Sequence, residues 1–584
     1  MYLQSIFSFT ALTAFACARS ISSEPPEPLS RRAACAGNTA TTRSEWCDYN
    51  LQTNFYDEVP DTGVVREFYW TITNTTLAPD GRERQVWTVN GSFPGPTLIA
   101  DWGDTVVVHV TNELDFNGTS IHWHGIRQNQ TNQQDGVPSI TECPTTPGGT
   151  TTYTWRATQY GTTWWHSHIG IQAWDGVAGG IIINGPASAD YDVDLGTVLL
   201  NDWDIATMDS LLDGALINGP PTLQNGLING TNTYGNGSDA VGHRFNTSVT
   251  AGDSYRIRLV NSAIDTTWKF SIDNHTLQVI AADLVPIEPY YTDIVTINIG
   301  QRYDLVVTAN ASAIADDFWI RSIPQLACSN NANPDDIKGI FHYGADTAVA
   351  TPTTTGYAYT DECVDEPYAS LVPALALDAS TSFTYTTQDD ITLAADPANP
   401  AVFQWYVGNE TFRSSWDDPT LLQIYNNATD FYPYNTSNFV LLPEENDWSF
   451  FVIELNLAIP HPIHLHGHDF YLLGAGSGSY EADVTELNFV NPPRRDTALL
   501  LADGYLVIGF KTDNPGAWIC HCHIGWHQVN GLALQFIEDR SAIRDLGLDG
   551  TAETCAAWNT FEYGNASSVT LSSDGTIPQL DDGI

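Results

Sequence analysis

The chain has 584 residues, enough for two to four domains of ordinary size. It carries 22 Lys and Arg against 69 Asp and Glu, a formal net charge of −47. A surface this acidic repels nucleic acid and anionic membranes, which argues against both as partners; it fits acidic surroundings, where many carboxylates are neutral, or high salt.

Taken in chain order, Ser5 to Ala18 (SIFSFTALTAFACA) is a short apolar run ending in Ala16-Cys17-Ala18, an A-x-A-like cleavage site. It reads as a signal peptide over 1–18, and no later apolar run is long enough to span a bilayer. Residues 19–32 form a possible propeptide ending at Arg31-Arg32, so the mature chain is expected to begin near Ala33. Thirteen Asn-x-Ser/Thr sequons, from Asn74 to Asn565, fit a secreted, extracellular glycoprotein. The chain has nine cysteines, of which Cys17 leaves with the signal peptide. Export favours disulfides among the rest; if Cys522 binds a metal, seven remain and one stays unpaired.

Alternating runs predict strands at 105–114 (TVVVHVTNEL), 254–262 (SYRIRLVNS), 303–312 (YDLVVTANAS) and 505–512 (YLVIGFKT), separated by Gly, Asn and Pro turns. Long helix-period segments are scarce, so the expected fold class is all-β, a set of sandwiches or barrels. A repeat supports three units. Gly103-Asp104 opens a strand leading to His122, Gly252-Asp253 one leading to His275, and WSFFVIEL (448–455) one leading to His461. GTTWWHSHIG (161–170) and GAWICHCHIG (516–525) close the outer two units alike, whereas the middle one has lost its His-x-His pair. The expected domains are 33–190, 191–366 and 367–555, with a tail over 556–584.

Ten of the fifteen histidines fall in four clusters: HWH (122–124), HSH (166–168), HPIHLH (461–466) and HCHIGWH (521–527). On a strand, residues two apart share a face, so each His-x-His aims two imidazoles at one side. Imidazole alone does not choose among copper, zinc, iron and nickel, but two histidines with one thiolate point to an electron-transfer copper; zinc on the same ligands is the structural alternative. His461, Cys522 and His527 supply that set. Strand alternation turns Cys522 to one face and its neighbours His521 and His523 to the other, so one peptide segment can join two metal centres. The only methionines are Met1 and Met208, neither in the third unit, which excludes an axial methionine there.

With HWHG, HSH, HPIHLHGHDF and HCHIGWH, together with TNQQDGVPSITECP, INGP, NPPRRDT and DNPGAW, the sequence resembles the multicopper oxidases, most closely the fungal laccases of the ascomycete type. The resemblance covers essentially the whole mature chain. It implies three consecutive cupredoxin-like domains with a trinuclear copper cluster between the first and third. It implies four copper ions: type 1 on His461, Cys522 and His527; type 2 on His122 and His464; and a type 3 pair on His124, His166 and His523 and on His168, His466 and His521. It implies a secreted monomer oxidising small phenols or aromatic amines and reducing O2; ferroxidases, ascorbate oxidases and a non-catalytic copper protein are the alternatives.

Further implications rest on the same resemblance. Leu532 takes the axial position, where an apolar side chain donates nothing to copper and raises its potential. Asp135 stands as a proton relay to the cluster, Asp496 as a further carboxylate beside it, and Asp265 as a pocket base that takes the phenol proton while His527 receives the electron. Gly525 stands where basidiomycete laccases often have Asp, so no side chain there can deliver protons. The implied disulfides are Cys35–Cys47, Cys143–Cys555 and Cys328–Cys363, leaving Cys520 as a buried apolar residue. The terminal Asp581-Asp582-Gly583-Ile584 is expected to plug a channel.

Overall fold

Period-two alternation is visible directly in the burial of Thr105–Asn112, where Val106, Val108, Val110 and Asn112 are inside and their neighbours are not. That pattern repeats through an all-β chain, shown by a computed structural model that describes residues 35–344, 349–426, 438–442 and 445–564. The expected leader, the Arg31-Arg32 site, the sequons at Asn427, Asn435 and Asn565, and the terminal Asp581–Ile584 lie outside the described residues. None of the other ten sequon asparagines is buried.

Three two-sheet units follow one another. In the first, a four-stranded sheet that includes Val65–Leu77 and Thr105–Asn112 packs on a second in the order Gly95–Asp101, Ala178–Asn184, Gly161–His166, His122–His124. The middle unit has a six-stranded sheet and a five-stranded one in the order Asn246–Val249, Lys338–Tyr343, Asp317–Pro324, Trp268–Ile272, Val295–Ile297. The third repeats this with Phe439–Leu442, Ala533–Glu538, Gly516–Cys522, His461–Leu465 and Thr497–Leu500. In all three sheets the first strand runs parallel to its neighbour and the next pairing is antiparallel. The sequence repeat is thus a repeat of topology. Gly516–Cys522 is buried along its whole length because another unit covers its second face.

The outer units are fastened where they meet. Asn132 in the first unit donates through Nδ2 to the Ala517 carbonyl and accepts the Ala517 N–H through Oδ1, both at 3.0 Å, pinning one unit's loop to the other's strand Gly516–Cys522. Gly516 permits this approach, since a Cβ there would lie 2.6 Å from the Asn132 side chain. Helices are few among the described residues: Met208–Asn218, Thr420–Asn426, Gly525–Gln528 and Asp549–Gly564, the last running across residue 556. No helix among the described residues is long and apolar enough to cross a membrane.

Cys35–Cys47, Cys143–Cys555 and Cys328–Cys363 are bonded, and Cys520 and Cys522 are free and buried. Cys143–Cys555 spans 412 residues and ties the TECP segment to the helix Asp549–Gly564, where Trp558 packs edge-on against Trp416. Replacing both cysteines with serine is expected to cost about 2–4 kcal/mol, seen as a lowered melting temperature. An unchanged melting temperature would show that Trp558 docks this helix without the covalent tie.

Candidate metal centre

Cross-strand register decides which histidines meet. His122 lies directly opposite His166 in the first unit, and His464 directly opposite His521 in the third. Opposed residues share a face, so each pair presents two imidazoles toward the other unit. His124, His168, His466 and His523 complete a set of eight buried rings at this junction. Donor atoms gather within 4.8 Å in overlapping groups: His122, His124 and His166; His122, His464 and His466; His168, His466 and His521; and His124, His464 and Asp496. The trio His124, His166 and His523 expected for one metal ion is not one of these groups, although His124 Nδ1 and His523 Nε2 face each other at 3.2 Å.

Most of these rings are oriented through one nitrogen, which leaves the other aimed inward. Nδ1 of His122, His166, His464 and His521 donates to the carbonyls of Asp135, Ser167, Asp496 and Cys522 at 2.8–3.0 Å. His466 Nδ1 donates to the Asp135 carboxylate at 2.8 Å. Nε2 of His122, His166 and His464, both nitrogens of His168 and Nδ1 of His523 are buried without a hydrogen-bond partner. Nε2 of His466 faces Nε2 of His521 at 3.2 Å. Burial, reinforced by neighbouring imidazoles, holds His124, His166, His168, His464, His466 and His523 well below the ordinary imidazole range, and burial brings His521 to about 3. Neutral rings with orphaned inward nitrogens are the state in which imidazole binds a metal.

On the other face of the strand stands a smaller site. His461 Nδ1 is 3.4 Å from Cys522 Sγ, His527 Nδ1 is 3.8 Å from it, and the two Nδ1 atoms are 3.2 Å apart. Three donors roughly 2.0–2.3 Å from one ion would stand about 3.3–3.7 Å apart, so the trio fits a single metal. Burial pushes the Cys522 thiol up and the His461 imidazole down to about 3. A thiol in such surroundings ionises only against a bound cation. Cys522 stands opposite Ile463 and lines a small apolar cavity with Leu532, Cys520 and Phe451. Leu532 is buried, and its carbonyl accepts the Cys522 N–H at 3.1 Å. Trp405 packs its ring on both His461 and His527, with centroids 4.8 and 4.6 Å away. The strand stops at Cys522; His527 returns on the helical turn Gly525–Gln528. Gly525 is required there, because a Cβ would lie 2.6 Å from Trp174 and 2.7 Å from Ile264.

The candidate acids lie around these centres. Asp135 is buried against His122 and His466, and Asp496 lies with Oδ1 3.2 Å from His124 Nε2. Asp265 keeps 9% exposure and has its N–H held by Asp202 at 3.0 Å. Burial, then the Asp202 charge, raises its carboxyl to about 8. The preceding Ile264 carbonyl accepts the Gly525 N–H at 2.9 Å, joining this loop to the turn that carries His527. Sequence reasoning passed over Thr497, whose hydroxyl lies within 3.3 Å of His124 and His464, though it follows Asp496 in NPPRRDT. It also passed over Trp164, whose tilted ring lies 4.2 Å from His166, and Arg302, which carried no motif.

Comparison with known proteins agrees with this geometry. Three family models, each described as multicopper oxidase, match residues 71–188, 194–345 and 413–542. Laccase-2 of Botryotinia fuckeliana is 46% identical over 95% of this chain and 97% of its own length. Laccase-1 of the same fungus is 48% identical over 92% and 93%. The crystal structure of the laccase from Botrytis aclada superposes with a TM-score of 0.86 at 46% identity, covering 91% of this chain and 98% of its own. Fet3p, a multicopper oxidase that functions in iron import, gives 0.76 at 27% identity, covering 85% and 95%.

The depressed imidazole range sets how pH acts on these centres. Protons compete for a ring nitrogen only as the pH falls toward the pKa of the folded protein. An ordinary imidazole protonates near 6.5, whereas His461 and His521 do so at about 3. Equilibrium dialysis should therefore find copper retained at pH 5 and released as the pH approaches 3. Release centred near pH 6 would contradict the desolvation of these rings.

Proposed function

The chain belongs to the multicopper oxidase family, and we propose that its buried histidines and Cys522 divide into the four copper sites of a working laccase. The three units are cupredoxin-like, and the activity is that of a laccase. Copper bound at these sites supplies the redox chemistry, by which one-electron oxidations of phenols are coupled to four-electron reduction of O2 to water.

His461, Cys522 and His527 would hold the type 1 ion. His122 and His464 would hold type 2; His124, His166 and His523, and His168, His466 and His521, would hold the type 3 pair. The observation that carries this reading is the face reversal at Cys522: its sulfur lies with His461 and His527, while its own carbonyl orients His521 in the eight-histidine cluster. One residue of backbone therefore links the two centres, which suits electron entry on one side and oxygen reduction on the other.

The other residues supply position and proton transfer. Asp265 takes the phenol proton beside His527, a role supported by its burial and by the hydrogen bond joining its loop to the His527 turn. A phenol becomes a far stronger acid as it is oxidised, so a nearby base lowers the barrier. Asp135 accepts from His466 and exchanges protons with the cluster. Leu532 lines the apolar cavity beside Cys522 and would offer a type 1 ion carbon alone. Aromatic amines, which also become stronger acids as they are oxidised, are the second substrate class of this reading. The protein acts as a secreted monomer; its disulfides, and sequon asparagines that are never buried where described, support the secretion.

Oxygen uptake by copper-loaded protein tests the activity. 2,6-Dimethoxyphenol should drive uptake without peroxide; uptake with Fe(II) alone would point to a ferroxidase, and silence with copper bound would overturn the enzymatic reading. For Asp265→Asn, kcat/KM toward the phenol should fall about 100-fold, while oxidation of ferrocyanide, which releases no proton, stays unchanged. The gap between parent and variant should widen as the pH rises toward 8, because the deprotonated carboxylate is the active form. Equal losses on both donors would remove the base role.

A further inference from the structure

The middle unit contributes none of the candidate copper ligands, yet one of its side chains reaches the cluster through a buried fork. Arg302 has no solvent exposure. Its Nη1 and Nη2 donate to Oδ1 and Oδ2 of Asp496 at 2.6 and 2.5 Å. Nη1 also donates to the Gly300 carbonyl at 2.9 Å, and Nε to the Thr162 carbonyl at 3.4 Å. The guanidinium thereby touches all three units: its own, the first through Thr162 and the third through Asp496. Asp283, also in the middle unit, lies 3.5 Å from Nη1 and accepts the N–H groups of Arg302 and Asp496 and the fork of Arg495.

Asp496 passes this constraint on. Its Oδ1 is 3.2 Å from His124 Nε2, and the opposite nitrogen, His124 Nδ1, faces His523 Nε2 at 3.2 Å. A neutral imidazole has one N–H and one lone pair. With the N–H on Nε2 directed to Asp496, the lone pair sits on Nδ1, inside the cluster. His124 thus presents Nδ1 inward by virtue of a side-chain carboxylate. Gly300, at φ +83°, closes the wall: a Cβ there would stand 3.0 Å from His523 and 3.2 Å from His124.

We infer that Arg302 is a positioning residue for the trinuclear site, holding Asp496 in the orientation that makes Nδ1 of His124 a copper ligand. The inference rests on the four-copper reading above. Partners that orient a ligand imidazole typically change metal affinity by about 10- to 100-fold. Lysine keeps the charge but is a point donor without the planar fork, so it can hold one carboxylate oxygen and leave the other free to turn.

The test compares parent, Arg302→Lys and Arg302→Met proteins, copper-loaded and dialysed against graded chelator. Bound copper per chain is measured together with the type 1 blue absorbance and the type 2 electron paramagnetic resonance signal. Arg302→Met should surrender cluster copper at about 10- to 100-fold lower chelator concentration, with an altered type 2 signal and unchanged type 1 absorbance. Arg302→Lys should fall between it and the parent. Loss of type 1 and cluster copper together would mark a general loss of structure and overturn the positioning role, as would parental retention in both variants. If Arg302→Met does not fold, Arg302→Lys decides alone: an unaltered type 2 signal and parental retention would overturn the inference. A parent that never binds cluster copper would instead overturn the four-copper reading.

Discussion

Eight imidazoles buried between two domains, with inward nitrogens that no protein group satisfies, are the constraint on which the rest of this structure depends. An orphaned buried polar atom costs about 1–3 kcal/mol, and several are gathered here in one place. Such an arrangement is tolerable only if something else binds those nitrogens. Desolvation that would destabilise a charged histidine keeps His124, His166, His168, His464, His466, His521 and His523 neutral, and neutrality makes them ligands. The cost of burial and the capacity to hold copper thus arise from the same physics.

The β-architecture delivers this arrangement economically. Antiparallel pairing sets His122 against His166 and His464 against His521, so each outer unit offers opposed rings on one face. The reciprocal Asn132–Ala517 hydrogen bonds draw the two faces together. Alternation sends the intervening Cys522 to the opposite side, into an apolar cavity with Leu532. Two chemically different sites result from one strand: a soft, dry, three-donor site and a larger all-nitrogen one. Their separation is a single residue of covalent backbone, which no rearrangement of side chains can lengthen.

The middle unit supplies none of these ligands, but it is more than a spacer. Arg302, Asp283, Arg495 and Asp496 form a buried ionic network with almost no exposure. Removing one member would strand its partner in a low-dielectric interior, which makes the network resistant to piecemeal change. Its position, between the Gly300 wall and His124, couples that rigidity to the cluster.

Much of this was legible in the sequence because it depends on local periodicity. The runs at 105–114, 254–262, 303–312 and 505–512 became strands within a few residues of their expected bounds. The face reversal of Cys522 relative to its neighbours follows from the period of a strand alone. Four histidine clusters beside one cysteine signalled the metal chemistry, and the resemblance they carry supplied the disulfide partners. Other features had no local signature. The turn that returns His527 to Cys522 begins at Gly525, whose need for glycine comes from Trp174 and Ile264, far away in sequence. The grouping of the eight rings depends on how two domains face each other. Arg302 stood in an unremarkable GQRYD stretch, and only folding placed its guanidinium on Asp496, 194 residues later. The sequence by itself determined the strands, their faces and the supply of ligands, because side-chain direction along a strand is a property of a few consecutive residues. Tertiary structure decided which ligands share an ion and which charges hold them, because contacts across domains depend on long-range packing that no short stretch encodes.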